Sequence, residues 1–185
     1  YEALVASGAF DDMYNFEGRE ENRMKLITQY REMRNVKIAN PQRDIYTIGQ
    51  LDQTWWWSLQ QKRLTGLASI NYRQIAEDNN MQTAFCTLSE LGSRQEKSIF
   101  RSFGGYIVEA KVGRGAKGEY CRITIEHNYK LFKVMVWSEE FENFKEQLKN
   151  SEKSILIFEG EVKYDARWSK ANQFTLKENS KLIVL

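Results

Sequence analysis

Between residues 104 and 176, apolar and polar side chains alternate in short runs, each closed by a turn-forming stretch. A period of two demands half-buried strands, and frequent turns gather such strands into one sheet. Residues 105–112 alternate towards a first strand, and the basic, glycine-rich run Gly113-Arg114-Gly115-Ala116-Lys117-Gly118 turns it. Residues 119–126 alternate again, with Cys121, Ile123 and Ile125 on one face and Tyr120, Arg122 and Thr124 on the other. His127-Asn128-Tyr129 has hairpin length, and Asn128 suits a turn conformation. Residues 130–137 form a third strand with Phe132, Val134 and Val136 on one side. Ser138-Glu139-Glu140 then opens a helix, a capping hydroxyl followed by acids at the positive end of the dipole. Phe141, Phe144 and Leu148 are its apolar stripe. In a fourth strand, 154–163, Ile155, Ile157 and Glu159 face opposite to Leu156, Phe158 and Gly160. Residues 164–171 read as a polar loop and 172–176 as a fifth strand.

Three strands, a helix and two strands is the order of an OB-fold, a small barrel that often binds oligonucleotides. The expectation is therefore an α+β chain: a helical N-terminal region followed by a five-stranded OB-fold β-barrel with one helix between strands 3 and 4. Its expected divisions are a helical region over 1–40, a helical linker with a tryptophan-rich segment over 41–103, and the barrel over 104–185.

The residues before the barrel read as helices and turns. Residues 2–7 look like the end of a helix stopped at Gly8, with Gly8 as its left-handed cap. A plain helix terminus is the reading that local chemistry favours; the functional alternative is the turn of a helix-hairpin-helix, whose N–H groups meet a DNA phosphate. Residues 19–35 form an amphipathic helix with Met24, Ile27, Tyr30 and Met33 on the buried side. Pro41 after Asn40 marks a loop and a boundary. Trp55-Trp56-Trp57 cannot all face one side of a regular element, so one ring is expected to be partly exposed. The segment is either a helix wedged between two packing surfaces or a partner-docking peptide. Tyr72 and Ile75 are expected to be buried, 78–80 to turn, and 87–91 to be a short helix or an extended linker packed on the barrel.

Composition narrows the functional classes. Among 185 residues, 42% are hydrophobic and 28% charged, so a core forms and global disorder is excluded. A net charge of +2 argues against a strongly cationic clamp but leaves room for a local basic groove. Cys86 and Cys121 stand far apart without a motif, which suits buried free thiols in a reducing, cytoplasmic compartment. One His and two Cys are too few soft ligands for zinc, and no apolar run approaches the roughly 20 residues that span a bilayer. No membrane partner is expected. Tyr1 is not Met and a helix looks already under way, so the chain is read as a fragment of a longer one.

No catalytic constellation is legible. His127 beside Glu126 reads as a turn residue, no Ser or Cys has a base partner, and the carboxylates are scattered. The run 113–118 lacks the Gly-Lys-Ser/Thr ending of a Walker loop. No catalytic residue, metal or cofactor is assigned. The barrel offers a binding face instead. OB-folds hold single strands across strands two and three, between the first and last loops. Arg114 and Lys117 lie in the first loop, Tyr120 and Arg122 on strand two, and Lys133, Met135 and Trp137 on strand three. The last loop carries Arg167, Trp168 and Lys170. Cations offset phosphates while a ring stacks on a base. Trp137 leads straight into the helix and is expected to pack beneath its neighbours. Trp168, in a polar loop, is expected to stack on a base.

Several motifs also resemble one family. Ser7-Gly8-Ala9-Phe10-Asp11 resembles the "SGAFD/AGAFD" turn of the bacterial replicative DNA polymerase III alpha subunit, where it closes a tandem helix-hairpin-helix. An amphipathic helix with an early Arg is similar to residues 19–30. Leu64-Thr65-Gly66-Leu67 resembles the "LLGxY" segment before the family's barrel, without the His-Pro that often follows. Phe132-Lys133-Val134-Met135-Val136-Trp137-Ser138-Glu139-Glu140-Phe141 resembles "IEVVVFPEVF", and Ile157-Phe158-Glu159-Gly160-Glu161-Val162 resembles "VVVRGKV". The resemblance runs in order over nearly the whole chain. It implies a C-terminal piece of a DNA-directed DNA polymerase, of a divergent or phage-type member, with the catalytic carboxylates upstream. The barrel would hold single-stranded template and the turn at Gly8 the duplex backbone. The family also places a sliding-clamp peptide, Gln-x-Asp-Leu/Met-Phe, between these modules. Gln50, Leu51 and Asp52 match its beginning, Gln53 and Thr54 replace its apolar anchors, and Trp55 or Trp56 would substitute after a register shift. DNA, and the clamp or another replisome subunit, are thus the implied partners. The alternative is a protein-interaction module for subunit or clamp assembly.

Overall fold

The computed structural model describes residues 1–10, 19–37, 54–149, 151–167 and 170–185. They belong to two compact units, Tyr1–Ile70 and Asn71–Leu185.

The first unit holds helices α1 (Glu2–Ala6), α2 (Arg19–Met33) and α3 (Thr54–Thr65). Gly8 closes α1 at φ 81°. The Gly8 and Ala9 amides donate to the Val5 and Leu4 carbonyls at 3.0 and 3.1 Å, a Schellman cap. Val5, Ala6, Ile27, Trp56 and Trp57 form the core, with Trp55 packed against it half-buried. The α2 stripe differs from expectation at its end: Ile27 is buried, Met24 and Tyr30 are half-buried, but Met33 is 76% exposed. Glu2, at the start of α1, pairs with Arg31 at 2.7 Å, so Met33 lies past the end of the short helix it would pack on. Arg23 is buried instead; its guanidinium lies 5.6 Å from the Trp57 ring and reaches the Ala6 carbonyl.

The second unit begins with α4 (Tyr72–Asp78), capped by the Asn71 side chain, and α5 (Leu88–Gly92), a short helix closed by a Thr87–Glu90 capping box. Strands β1 (Ile99–Gly115), β2 (Gly118–His127) and β3 (Lys130–Val136) follow, then helix α6 (Ser138–Leu148), then β4 (Ile155–Asp165), β5 (Ala171–Thr175) and β6 (Leu182–Val184). The sheet runs β1-β2-β3-β5-β4 and closes because β1 also pairs with β4. This is the closed five-stranded OB-fold barrel, with α6 between β3 and β4.

One long strand makes the closure possible. The first half of β1 pairs with β4 and its second half with β2; Tyr106 stands opposite both Ile155 and Glu126. The Gly104-Gly105 pair, expected to start the barrel, lies inside β1 at this crossing. A Cβ on Gly104 would collide with the Ile157 side chain, and one on Gly105 would lie 2.8 Å from the Glu126 carbonyl. A bulge between Ile107 and Glu109 then bends the strand onto β2. Asn128 and Tyr129 both take positive φ, 48° and 61°, the two-residue hairpin that suits the twist of β2 and β3.

Inside the barrel Phe103, Ile107, Ile123, Ile125, Val134, Val136, Phe158 and Phe174 pack without exposure. Phe141 and Leu148 of α6 join the same core, as their spacing requires. β4 is buried on both faces from Ile155 to Gly160. Its outer face is covered by α4 and the segment after it: the Glu159 carboxylate accepts from the Gln82 amide at 2.7 Å and the Thr83 amide at 3.0 Å. β6, a sixth strand not expected from the sequence, pairs with β4. Ser138 is not the cap of α6. Trp137 takes that position with extended backbone (φ −76°, ψ 170°), and its carbonyl accepts from the Phe141 amide at 2.7 Å, so helical bonding starts one residue before the hydroxyl.

Candidate nucleic-acid interface

The outer face of β2 and β3 is set by register. Arg122 stands opposite Met135 and Thr124 opposite Lys133, and the Cys121–Val136 pair brings Tyr120 beside Trp137 at the end nearest the β1–β2 turn. The Tyr120 and Trp137 rings lie 5.7 Å apart, tilted by 48°. Trp137 is 49% exposed, against the expectation that it would pack beneath neighbouring elements. It follows Lys133 and Met135 at a period of two, and its extended backbone keeps the ring on their side when α6 begins.

Glycines shape the floor on which Tyr120 rests. A Cβ on Gly113 would lie 2.6 Å from Tyr120 Cζ, and one on Gly115 would lie 3.7 Å from the ring. The ring therefore lies over the second half of β1, where any side chain at position 113 would displace it. The Arg122 guanidinium sits 5.7 Å from the same ring. Tyr120, Trp137, Lys117, Leu176 and Lys177 line one cleft of about 440 Å³.

Around this cleft, Arg114, Lys117 and Arg122 are exposed and form no ion pair among the described residues. Neighbouring acids are partly neutralised: Glu109 bonds Lys111 at 2.6 Å and Glu119 bonds Lys145 at 2.8 Å, and each lysine holds its partner carboxyl below the ordinary range. Lys133 donates to Thr124 Oγ1 at 2.7 Å and stays exposed. Met135, beside Arg122, is 8% exposed. In the β4–β5 connection Arg167 and Lys170 are exposed, and the Arg167 amide donates to the Asp165 carboxylate. Trp168 lies outside the described residues, as do Gln50, Leu51 and Asp52. Trp56 is buried against Trp57, edge to face at 4.8 Å. Gly8 stands in the first unit, where its amide and that of Ala9 serve the helix cap.

His127 is neither exposed nor a mere turn residue. Ile123, Ile125 and His127 share one parity, and that signal was present in the sequence. The ring stacks on Phe103 at 4.7 Å, and its Nδ1 donates to the Gly104 carbonyl at 2.7 Å. Burial holds its pKa below the ordinary value. Burial pushes Cys86 up to about 12 and Cys121 up to about 11, so both are protonated thiols at neutral pH. Among the described residues no group of His, Cys, Asp and Glu has metal-binding geometry, and no helix is long and apolar enough to cross a membrane.

No protein-family model matches the chain, and no curated protein matches it. Among solved structures it is similar to the p204 HINb domain, at 17% identity and a TM-score of 0.40 over 64% of this chain and 53% of that one. It is similar to a replication factor A related protein from Methanobacterium thermoautotrophicum, at 16% identity and 0.37 over 55% of this chain and 90% of that one. It is also similar to Pot1 in its complex with single-stranded DNA, at 9% identity and 0.41 over 63% of this chain and 75% of that one. The chain thus spans about half of the p204 structure, and 23% of asparaginyl-tRNA synthetase from Pyrococcus horikoshii, another match. These likenesses are distant, and the OB-fold is assigned from the strand order of the barrel itself.

Proposed function

We propose that the barrel binds single-stranded nucleic acid across β2 and β3. The observation that carries this reading is the exposed Trp137 ring beside the half-buried Tyr120, flanked by Arg114, Lys117 and Arg122, which have no ion-pair partner among the described residues. Rings of this kind stack on bases of any sequence, and the cations offset the phosphates between them. Lys133, Arg167 and Lys170 extend the basic track, and Trp168 is a further stacking candidate by its place in the sequence.

The finer reading is that this barrel serves a replicative DNA polymerase, holding template while the 50–55 segment meets a sliding clamp; the Gly8 amide is taken by the helix cap and Trp56 by the core, so the half-buried Trp55 is the ring to anchor the clamp. Motif resemblance supports it. The alternative is a protein-interaction module, because an exposed Trp also anchors protein interfaces.

Fluorescence anisotropy of a labelled oligothymidine tests the proposal. Binding is expected at low salt and to weaken as salt rises. Trp137→Ala is expected to lower affinity by about 5- to 100-fold, the range for one stacked base. Arg114→Ala is expected to weaken binding and flatten its salt dependence. A folded protein that binds no oligonucleotide at low salt overturns the proposal and favours the protein-interaction reading.

A further inference from the structure

The cleft beside Tyr120 and Trp137 has an acidic wall that stacking does not use. Glu139 and Glu140, in the first turn of α6, line it with Lys117 and Lys177. Neither carboxylate forms an ion pair or side-chain hydrogen bond among the described residues. The helix dipole favours acids in this turn wherever the helix sits, but it does not require them to border an aromatic cleft. Two unpartnered carboxylates repel a phosphate. They suit a group that is uncharged, flat enough to stack, and edged with N–H donors.

Base chemistry narrows the choice. Thymine and uracil present a donor between two carbonyl oxygens, which face a carboxylate unfavourably. Cytosine and adenine present one donor beside an acceptor. Guanine alone presents two adjacent donors, N1–H and N2–H, matching the two oxygens of one carboxylate. A cleft of about 440 Å³ has the size of a small-ligand site. We propose that this cleft reads a guanine base of a bound single strand, stacked against Tyr120 and Trp137 and held at its Watson–Crick edge by the Glu139–Glu140 carboxylates. Lys117, exposed and without an ion pair among the described residues, then stands where a flanking phosphate passes, whereas Lys177 is held by Glu161 at 2.8 Å. This assignment rests on the single-strand reading and adds a base preference to it.

Three labelled oligonucleotides test it by anisotropy at one salt concentration. One is all thymidine, one carries isolated deoxyguanosines, and one carries deoxyinosines, which lack the N2 amino group, at the same places. The deoxyguanosine strand is expected to bind about tenfold more tightly than thymidine, within the range for a bidentate base contact, with inosine between them. The double variant Glu139→Gln, Glu140→Gln keeps the shape of the wall and removes its charge. It is expected to bring the three affinities together while thymidine binding persists. Equal binding of all three strands by the unmodified protein overturns the guanine assignment and leaves the single-strand reading standing. So does a guanosine preference that survives in the double variant. Failure to bind any of the three overturns both.

Discussion

His127 shows how one side chain ties local chemistry to stability. Its ring fills a place in the aromatic core and its Nδ1 holds the Gly104 carbonyl where β1 crosses between partners. In the folded protein burial keeps the imidazole neutral; the unfolded chain takes up a proton near the ordinary value of 6.5. Stability from this residue is therefore complete above that value and is lost as pH falls from it towards the lowered folded value, because the unfolded state then binds more protons. The urea midpoint is expected to fall with pH over that window. His127→Gln, which keeps an N–H for Gly104, is expected to remove that part of the slope. Glu159 is the second such residue. Its carboxylate holds two backbone amides of the segment covering β4, so Glu159→Ala is expected to cost about 2–4 kcal/mol in urea unfolding. Both roles depend on neighbours distant in sequence: the parity of His127 with Ile123 and Ile125 gives its inward direction, but not the Gly104 carbonyl it holds, and nothing beside Glu159 announces its amide partners.

At the scale of elements, alternation exposed most of the barrel and hid its joints. The faces of β2 and β3, the turn at Asn128 and the apolar stripe of α6 follow from periods of two and 3.6 and were legible. The long β1 was not, because glycines at 104 and 105 read as punctuation when they serve close approach inside a strand. β6 has three residues, too few for a period to register. The Gly113-x-Gly115 spacing carries a further consequence. It clears the surface on which Tyr120 lies, so Gly113→Val is expected to weaken oligothymidine binding by about 5- to 100-fold, with far-UV circular dichroism unchanged. In a Tyr120→Ala background the same substitution is expected to add nothing, since the ring it displaces is gone.

For the whole molecule, net charge is a poor guide to binding. The chain carries only +2, yet Arg114, Lys117 and Arg122 stand on one face without ion-pair partners among the described residues, while Glu109 and Glu119 are occupied by lysines. Binding should follow the local count. Phosphate contacts by these three cations alone give an expected slope of about −2 for log K against log salt concentration, steepening to about −4 where Lys133, Arg167 and Lys170 also make contact, measurable by anisotropy across a salt series. Arg122→Ala is expected to make that slope shallower by about 0.7.

The order of strands and helix, the inward and outward residues of β2 and β3, and the cations of the first turn were determined by sequence alone. Each is a local matter of periodicity, turn chemistry or charge. Tertiary structure decided that β1 closes the barrel on β4, that His127 holds the Gly104 carbonyl, and that Trp137 stands in the open beside Tyr120 with Glu139 and Glu140 at the same cleft. Those outcomes depend on which surfaces meet when the sheet curls and closes, and no run of neighbouring residues contains that information.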